Sequence, residues 1–182
     1  MTEVRLPFFV YGTLLPGCHN HDRFLRGRTS DERPAALPNA LLYEGPGYPY
    51  AIEGHGTVHG ALVTAGPGAY AELLGLLDDL EEYLGPDHPR NLYERVARGV
   101  VPEARPGAGP TEPGAVRSAG PTGPGAGRSA GPRSSGSAPG EPVRAWVYLA
   151  APAVTRSLRT GGTRVPGGNW LTRPPPPAPR TP

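Results

Sequence analysis

The sequence is compatible with a small α+β domain, because it contains several short segments of strand composition and one longer segment with helical periodicity. Its 182 residues include 27 glycines and 26 prolines, a proportion that usually signals disorder. These residues are concentrated in 102–142 and at the C-terminal end. About 130 residues with ordinary apolar content remain, which is enough for one small domain with a core. The length excludes a second globular domain.

The strand predictions rest on short apolar runs bounded by glycine and proline. The first strand covers 7–11 and ends at Gly12-Thr13. Prolines interrupt 33–49, so only short strands are expected there, around 40–43. Asn20 is a plausible cap for one or two helical turns over 20–26. The remaining predicted strands lie at 57–63, 93–101 and 143–149, the last of which alternates with a period of two.

One helix is predicted over 69–84, where the apolar residues recur at helical spacing and Gly85-Pro86 follows. At about 100° per residue, five leucines and Tyr70 form one apolar stripe, and Glu81 falls inside that stripe. Glu72, Asp79 and Glu82 fall on the opposite side. A carboxylate among apolar side chains has a raised pKa, in the range useful for proton transfer. The alternative is that the last helical turn frays and Glu81 turns into water.

A second candidate feature is the segment Tyr11-Gly12-Thr13-Leu14 at the end of the first strand. Glycine permits a sharp turn that can direct consecutive N–H groups at an anion such as a carboxylate. Taken alone, these residues favour a plain turn without a ligand.

Residues 102–142 lack the large apolar side chains needed to offset backbone entropy, so we expect a disordered insertion rich in Gly, Pro, Ser and Arg. The pentapeptide Arg-Ser-Ala-Gly-Pro occurs at 117–121 and again at 128–132. Residues 172–182 form a proline-rich tail, expected to be extended polyproline II, for which an SH3-like ligand role is possible. The predicted folded domain therefore comprises 1–101 and 143–171.

Composition limits the possible partners and location. The net charge is +2, and the arginines of 102–142 are dispersed rather than clustered as a nucleic-acid interface requires. The apolar run at 6–10 is too short for a signal peptide, and no run approaches the roughly 18 apolar residues of a membrane helix. We expect a cytoplasmic protein that binds neither nucleic acid nor membrane, with its oligomeric state open.

Other reactive residues give weak signals. Cys18 has no partner for an intramolecular disulfide and no convincing base that would make it a nucleophile. His19 and His21 are spaced by two residues but lack further ligands, so we expect no metal and no cofactor.

An ordered set of motifs resembles the gamma-glutamylcyclotransferase family, also called AIG2-like. Each motif is weak alone, but the set runs in order across nearly all of 4–101 and 143–170. Its members are Val10-Tyr11-Gly12-Thr13-Leu14 followed by Gly17 and Asn20-His21, Tyr48-Pro49, Val58-His59-Gly60, Leu77-Asp78-Asp79-Leu80-Glu81 followed by Tyr93-Glu94-Arg95, Ala145–Leu149, and Gly168-Asn169-Trp170.

The resemblance implies a fold, a reaction and roles for residues. The fold would be a small closed mixed β-barrel flanked by α-helices, with a pocket at the barrel mouth. The reaction would be cleavage of a γ-glutamyl amide by its own α-amine, giving 5-oxoproline and a free amine. Glu81 would be the catalytic general acid/base, and the substrate-binding residues would be Tyr11, Gly12, Thr13 and Leu14.

Two positions depart from the family pattern, and two other function classes compete with an enzyme. The family usually has Gly where this chain has Glu82, and Asp where it has Asn169. A non-catalytic protein could use the same cavity to bind a glutamyl or amino-acid ligand, or an interaction protein could act through 102–142 and the tail. The group attached to the γ-glutamyl moiety is left open.

Overall fold

The protein is a closed five-stranded barrel with two helices outside it, seen in a computed structural model that describes residues 5–103 and 140–175. The strand order around the barrel is β1-β3-β2-β4-β5. The strands and helices, in chain order, are β1 (Phe8–Val10), β2 (Thr29–Glu44), β3 (Pro49–Ala65), α1 (Tyr70–Leu80), β4 (Tyr93–Pro102), β5 (Val143–Ala150) and α2 (Pro152–Gly161). Shorter segments comprise a π-helical turn, His21–Leu25, and 3-10 turns at Pro166–Gly168 and Trp170–Thr172. The predicted mixed barrel is confirmed.

The barrel closes through β1, the shortest strand. It pairs antiparallel with β3 and parallel with β5, where Phe8 lies opposite Trp146. Its neighbouring side chains point to opposite faces of the sheet. Phe8 joins the cluster that includes Leu73 and Leu77 of α1, and Phe9 joins the cluster that includes Val147. Burial on both faces explains why β1 is a continuous apolar run rather than an alternating one.

The prediction of short, broken strands over 33–49 was wrong, because β2 runs for 16 residues through two prolines. The carbonyl of Pro34 accepts a hydrogen bond from the Glu103 N–H, 2.9 Å away on the β4 side. The nitrogen of Pro34 faces the same side, so its missing N–H costs no hydrogen bond to β3. Backbone orientation alternates along a strand with a period of two, so the nitrogen of Pro38 faces the same side as that of Pro34. A bulge follows Pro38 at Asn39, whose φ is 56°.

The helix predicted over 69–84 is α1, but it ends four residues early. Two hydrogen bonds close its end: Tyr83 N–H donates to the Asp78 carbonyl (2.9 Å) and Glu82 N–H to the Asp79 carbonyl (3.3 Å). Glu82 between them has φ 50°. This is the Schellman arrangement, in which the left-handed position usually holds Gly. The chain turns away from the helix at Glu82, well before Gly85-Pro86.

Two smaller predictions also need correction or completion. Asn20 precedes the π-helical turn, but its side chain makes no capping hydrogen bond. Its Nδ2 instead donates to Thr13 Oγ1 at 3.0 Å, across the loop. Helix α2 was not predicted from the sequence. The predicted insertion and tail fall mainly on 104–139 and 176–182, which lie outside the described residues, so the domain boundaries remain a prediction.

Candidate active site

A cavity of about 180 Å³ opens at the end of the barrel where β1 ends and β4 begins. The turn after β1, the end of α1 and the β2–β3 turn form its walls. Tyr93 and Tyr148 complete it from β4 and β5. The structure therefore brings all five residues singled out from the sequence to one cavity, which is lined by Tyr11, Gly12, Thr13, Leu14 and Glu81.

Glu81 keeps helical hydrogen bonding although it directly follows the last residue of α1. Its N–H donates to the Leu77 carbonyl at 3.0 Å. The turn at Glu82 begins only afterwards, so Glu81 stays on the apolar face that the helical wheel assigns to it. The residue keeps some solvent exposure, but its carboxyl group is enclosed by protein and faces the cavity. The alternative, in which the last turn frays and Glu81 turns into water, does not match this structure.

Burial raises the pKa of the Glu81 carboxyl to about 7. Desolvation alone accounts for the shift, because no hydrogen bond or ion pair from the described residues reaches this carboxyl. A carboxyl with such a pKa is present in both protonation states near neutral pH, which is the property required of a group that accepts and then returns a proton.

Three buried tyrosines close to Glu81 donate their hydroxyl protons to other groups. Tyr148 donates to Asp78 Oδ1 at 2.7 Å, and Tyr93 donates to the Pro49 carbonyl at 2.8 Å. Tyr11 donates to the Tyr148 carbonyl at 2.5 Å. Burial raises the pKa of all three hydroxyls well above the usual value, and the charge of Glu81 raises it further. They are neutral structural donors, and none of the described residues donates a hydrogen bond to the Glu81 carboxyl.

The turn after β1 lines the cavity and contains backbone N–H groups that are not used within the protein. Leu15 N–H donates to the Gly12 carbonyl at 3.0 Å, which closes the turn. Within the described residues, the N–H groups of Gly12, Thr13 and Leu14 have no protein acceptor. The side chains of Tyr11 and Leu14 are buried in the core. Free backbone N–H groups of consecutive residues are donors that an anion can use.

Gly12 is required by its contact with Pro49. A Cβ at position 12 would lie 2.7 Å from Cδ and Cγ of that proline. The β2–β3 turn thus packs directly against the turn that carries the free N–H groups. Because only glycine permits this approach, the cavity wall depends on it.

A network of charged and polar side chains that the sequence did not reveal fixes the end of α1. Arg95 of β4 donates to Asp78 Oδ2 at 2.5 Å, and its guanidinium lies 5.0 Å from the Tyr83 ring and 5.1 Å from the Trp146 ring. Asp78 also accepts the Tyr148 hydroxyl proton. On the helical wheel at about 100° per residue, Asp78 falls at the edge of the apolar stripe, and this position was the available sequence signal. The network joins the last turn of α1 to β4 and β5.

The remaining candidate residues do not form a second site. His19 lines the cavity, whereas His21 Nε2 lies 2.7 Å from Glu32 Oε2, so the two histidines have different surroundings. Within 5–103 and 140–175, no group of three or more His, Cys, Asp or Glu residues could hold a metal ion. Asn169 lies away from the cavity, and its Oδ1 accepts a hydrogen bond from Leu171 N–H at 3.0 Å. None of the described helices is long and apolar enough to cross a membrane.

This chain belongs to the gamma-glutamyl cyclotransferase, AIG2-like family, whose model matches residues 8–108. A relative from Niallia circulans, named gamma-L-glutamyl-butirosin B gamma-glutamyl cyclotransferase, is 36% identical over 88 residues, which are 48% of this chain and 53% of the relative. The match thus spans about half the length of that relative.

Solved structures of low sequence identity are also similar to this chain. An AIG2-like protein from Mus musculus has 20% identity and a TM-score of 0.48, with 93% of this chain and 84% of that chain covered. A protein from Arabidopsis thaliana, determined in solution, has 20% identity and a TM-score of 0.49, with 82% and 72% covered.

Proposed function

We propose that this protein is a γ-glutamyl cyclotransferase, an enzyme that cleaves a γ-glutamyl amide through the substrate's own α-amine. The α-nitrogen attacks the γ-carbonyl carbon, a five-membered ring closes, and the bond from that carbon to the amide nitrogen breaks. The products are 5-oxoproline and a free amine. Family membership and the name of the Niallia circulans relative support this class of reaction.

The observation that carries the proposal is the unpaired, enclosed carboxyl of Glu81 facing the same cavity as the free N–H groups after β1. As a carboxylate, Glu81 would accept a proton from the substrate's α-ammonium group and so create the attacking amine. As a carboxylic acid, it would return a proton to the departing nitrogen. A pKa of about 7 allows both roles near neutral pH.

The turn after β1 supplies the complementary half of the proposed site. The N–H groups of Gly12, Thr13 and Leu14 would hold the substrate's α-carboxylate or the oxyanion that develops on the γ-carbonyl. Since nucleophile and electrophile belong to one molecule, the main task of the protein is to hold the folded-back conformer of the substrate. The reaction needs no water as nucleophile and no cofactor.

The substrate class supported here is a γ-glutamyl amide. The relative is named for a γ-L-glutamyl derivative, butirosin B, which agrees with that class. The cavity volume of about 180 Å³ is below the roughly 300 Å³ of pockets that enclose drug-sized ligands. A γ-glutamyl group therefore suits it better than a whole conjugate.

Incubation of the purified protein with a panel of γ-glutamyl amides, with mass detection of 5-oxoproline, tests the proposal. We expect 5-oxoproline from the wild-type protein and its loss in Glu81→Gln. A folded protein that binds these amides but releases no 5-oxoproline would instead be a non-catalytic binding protein using the same cavity. Asp79→Asn is the matched control, because Asp79 is exposed and lies outside the cavity.

A further inference from the structure

Glu82 lies beside Glu81 at the same cavity but in a different environment. It is exposed, whereas the Glu81 carboxyl is enclosed, so Glu82 is at the mouth. Among the described residues no hydrogen bond or ion pair involves the Glu82 side chain. The charge of Glu82 nevertheless acts on nearby groups. The pKa of Tyr50 is raised mainly by burial, and the negative charge of Glu82 raises it further.

Nothing in the fold explains a glutamate at this position. The backbone of Glu82 ends α1 in the left-handed region, a task for which glycine is better suited than any residue with a side chain. Within the part of the chain that the structure describes, the Glu82 side chain is exposed and its carboxylate makes no hydrogen bond or ion pair. The carboxylate is therefore available to a ligand at the mouth.

The charges lining the cavity are one-sided. Glu81 and Glu82 are the acidic residues among the described residues that line it, and no arginine is present to balance them. Among the described residues that line the cavity, His19 is the one basic side chain, and no lysine or arginine is present. A positive group at the mouth would therefore meet Glu82 without competition from an arginine or lysine of the described lining residues.

We propose that Glu82 makes this site selective for γ-glutamyl amides whose amine portion carries a further positive charge. The inference rests on the proposed function. The γ-glutamyl group occupies the cavity between Glu81 and the turn after β1, so the amine portion extends through the mouth past Glu82. A cationic group there is attracted, a neutral group gains nothing, and an anionic group is repelled.

Binding to a catalytically silenced protein tests this inference without relying on turnover. In Glu81→Gln, Glu82 is the one carboxylate left among the described lining residues. The two ligands, of equal length, are the γ-glutamyl amides of pentylamine and of 1,4-diaminobutane, and affinity is measured by titration calorimetry. We expect the cationic amide to bind about three- to five-fold more tightly, the range of an exposed ion pair. The ratio of the two affinities should fall toward one at about 0.5 M salt, where interactions between exposed charges are strongly screened.

Two double variants assign the effect to Glu82. Glu81→Gln with Glu82→Gln should bind the two amides with equal affinity, whereas Glu81→Gln with Asp79→Asn should retain the preference. Equal binding of both amides by Glu81→Gln, or a preference that survives Glu82→Gln, would overturn the selectivity. Absence of binding of either amide to the folded protein would overturn it as well.

The wild-type protein separates the two proposals. Release of 5-oxoproline from both amides at equal kcat/KM would leave the proposed function intact and refute the role of Glu82. No 5-oxoproline from either amide, with selective binding retained, would refute the enzyme and not the selectivity.

Discussion

Asp78 and Glu81 lie one helical turn apart, but their carboxyl groups have opposite surroundings. Asp78 accepts hydrogen bonds from Arg95 and from the Tyr148 hydroxyl, so its charge is compensated. Glu81 has no such partner among the described residues, and burial raises its pKa to about 7. The compensated carboxylate anchors the end of the helix, and the uncompensated one faces the cavity. This division of roles underlies the following predictions.

Replacing Glu81 with Gln should abolish 5-oxoproline release and stabilise the protein at neutral pH. Loss of a general acid/base lowers turnover by about 10²- to 10⁴-fold. The native carboxyl binds its proton more tightly than the unfolded chain does, so its destabilising effect is absent below pH 4.5 and complete above pH 7. A shift of this size corresponds to about 3 kcal/mol.

Denaturant unfolding of both proteins between pH 4 and pH 8 measures the second effect. The stability advantage of Glu81→Gln should grow as the pH rises through that window. An advantage independent of pH would mean that the carboxyl is solvated in the native state.

The pH dependence of kcat/KM should show an acidic limb with an apparent pKa near 7, because only ionised Glu81 can accept the ammonium proton. Activity is therefore expected to rise with pH through neutrality. Initial rates of 5-oxoproline release in constant-ionic-strength buffers give the profile. A limb near pH 4 to 5, typical of a solvated carboxyl, would contradict the assignment of Glu81 as the base.

Gly12→Ala should weaken both the fold and the substrate site. The new Cβ would lie 2.7 Å from Pro49, and relief of such a clash costs about 1–3 kcal/mol. KM for a γ-glutamyl amide should rise because the turn carrying the free N–H groups must move. Gly75→Ala is the matched control, because Gly75 lies within α1 with open space around it. This substitution should stabilise the protein by about 1 kcal/mol. If the two substitutions changed stability and KM equally, the proposed dependence of the cavity wall on Gly12 would be refuted.

Glu82→Gly should stabilise the protein, since a non-glycine residue in the left-handed region costs about 1 kcal/mol. Replacing Asp79, inside α1, with Gly should instead destabilise the protein by about 0.3 kcal/mol, because Asp is itself a poor helix former. Urea unfolding at low pH, where side-chain charge contributes least, compares the two. Opposite signs are expected, and destabilisation by Glu82→Gly would show that its side chain supports the fold.

Asp78→Asn should destabilise by about 2 kcal/mol, because it leaves the partly buried Arg95 without its counter-charge. Arg98→Gln removes the more exposed ion pair of Arg98 with Glu53, which should cost less than about 1 kcal/mol. Thermal or urea unfolding measures both. If both substitutions lowered the stability by similar small amounts, the hydrogen bonds of Asp78 would not be what holds α1 in place.

Much of this architecture was predictable from local patterns. The apolar period of 69–84 predicts one helix, and the helical wheel alone distinguishes Glu81 from the exposed carboxylates of the same segment. The approximate positions of β1, β4 and β5 follow from short apolar runs between glycines and prolines. These predictions succeeded because they depend on which face of an element is buried.

Other features required the tertiary structure. Pro34 and Pro38 suggested broken strands, yet their nitrogens face the edge of β2 away from β3. Asn20 suggested a helix cap, but Thr13 lies within its reach. Sequence reasoning could not foresee that Arg95 of β4 would meet Asp78 of α1, because that contact depends on how the barrel closes.

By itself, the sequence determined that one acidic side chain shares a helix face with leucines and that a glycine turn follows the first strand. Only the tertiary structure decided that these two features meet at one cavity and that Tyr11, Tyr93 and Tyr148 donate their hydroxyl protons to other groups. The physical reason is that burial of a helix face is a local property of residue spacing. Proximity and hydrogen-bond partnership depend on the closed arrangement of five strands, whose contacts join residues far apart in the chain.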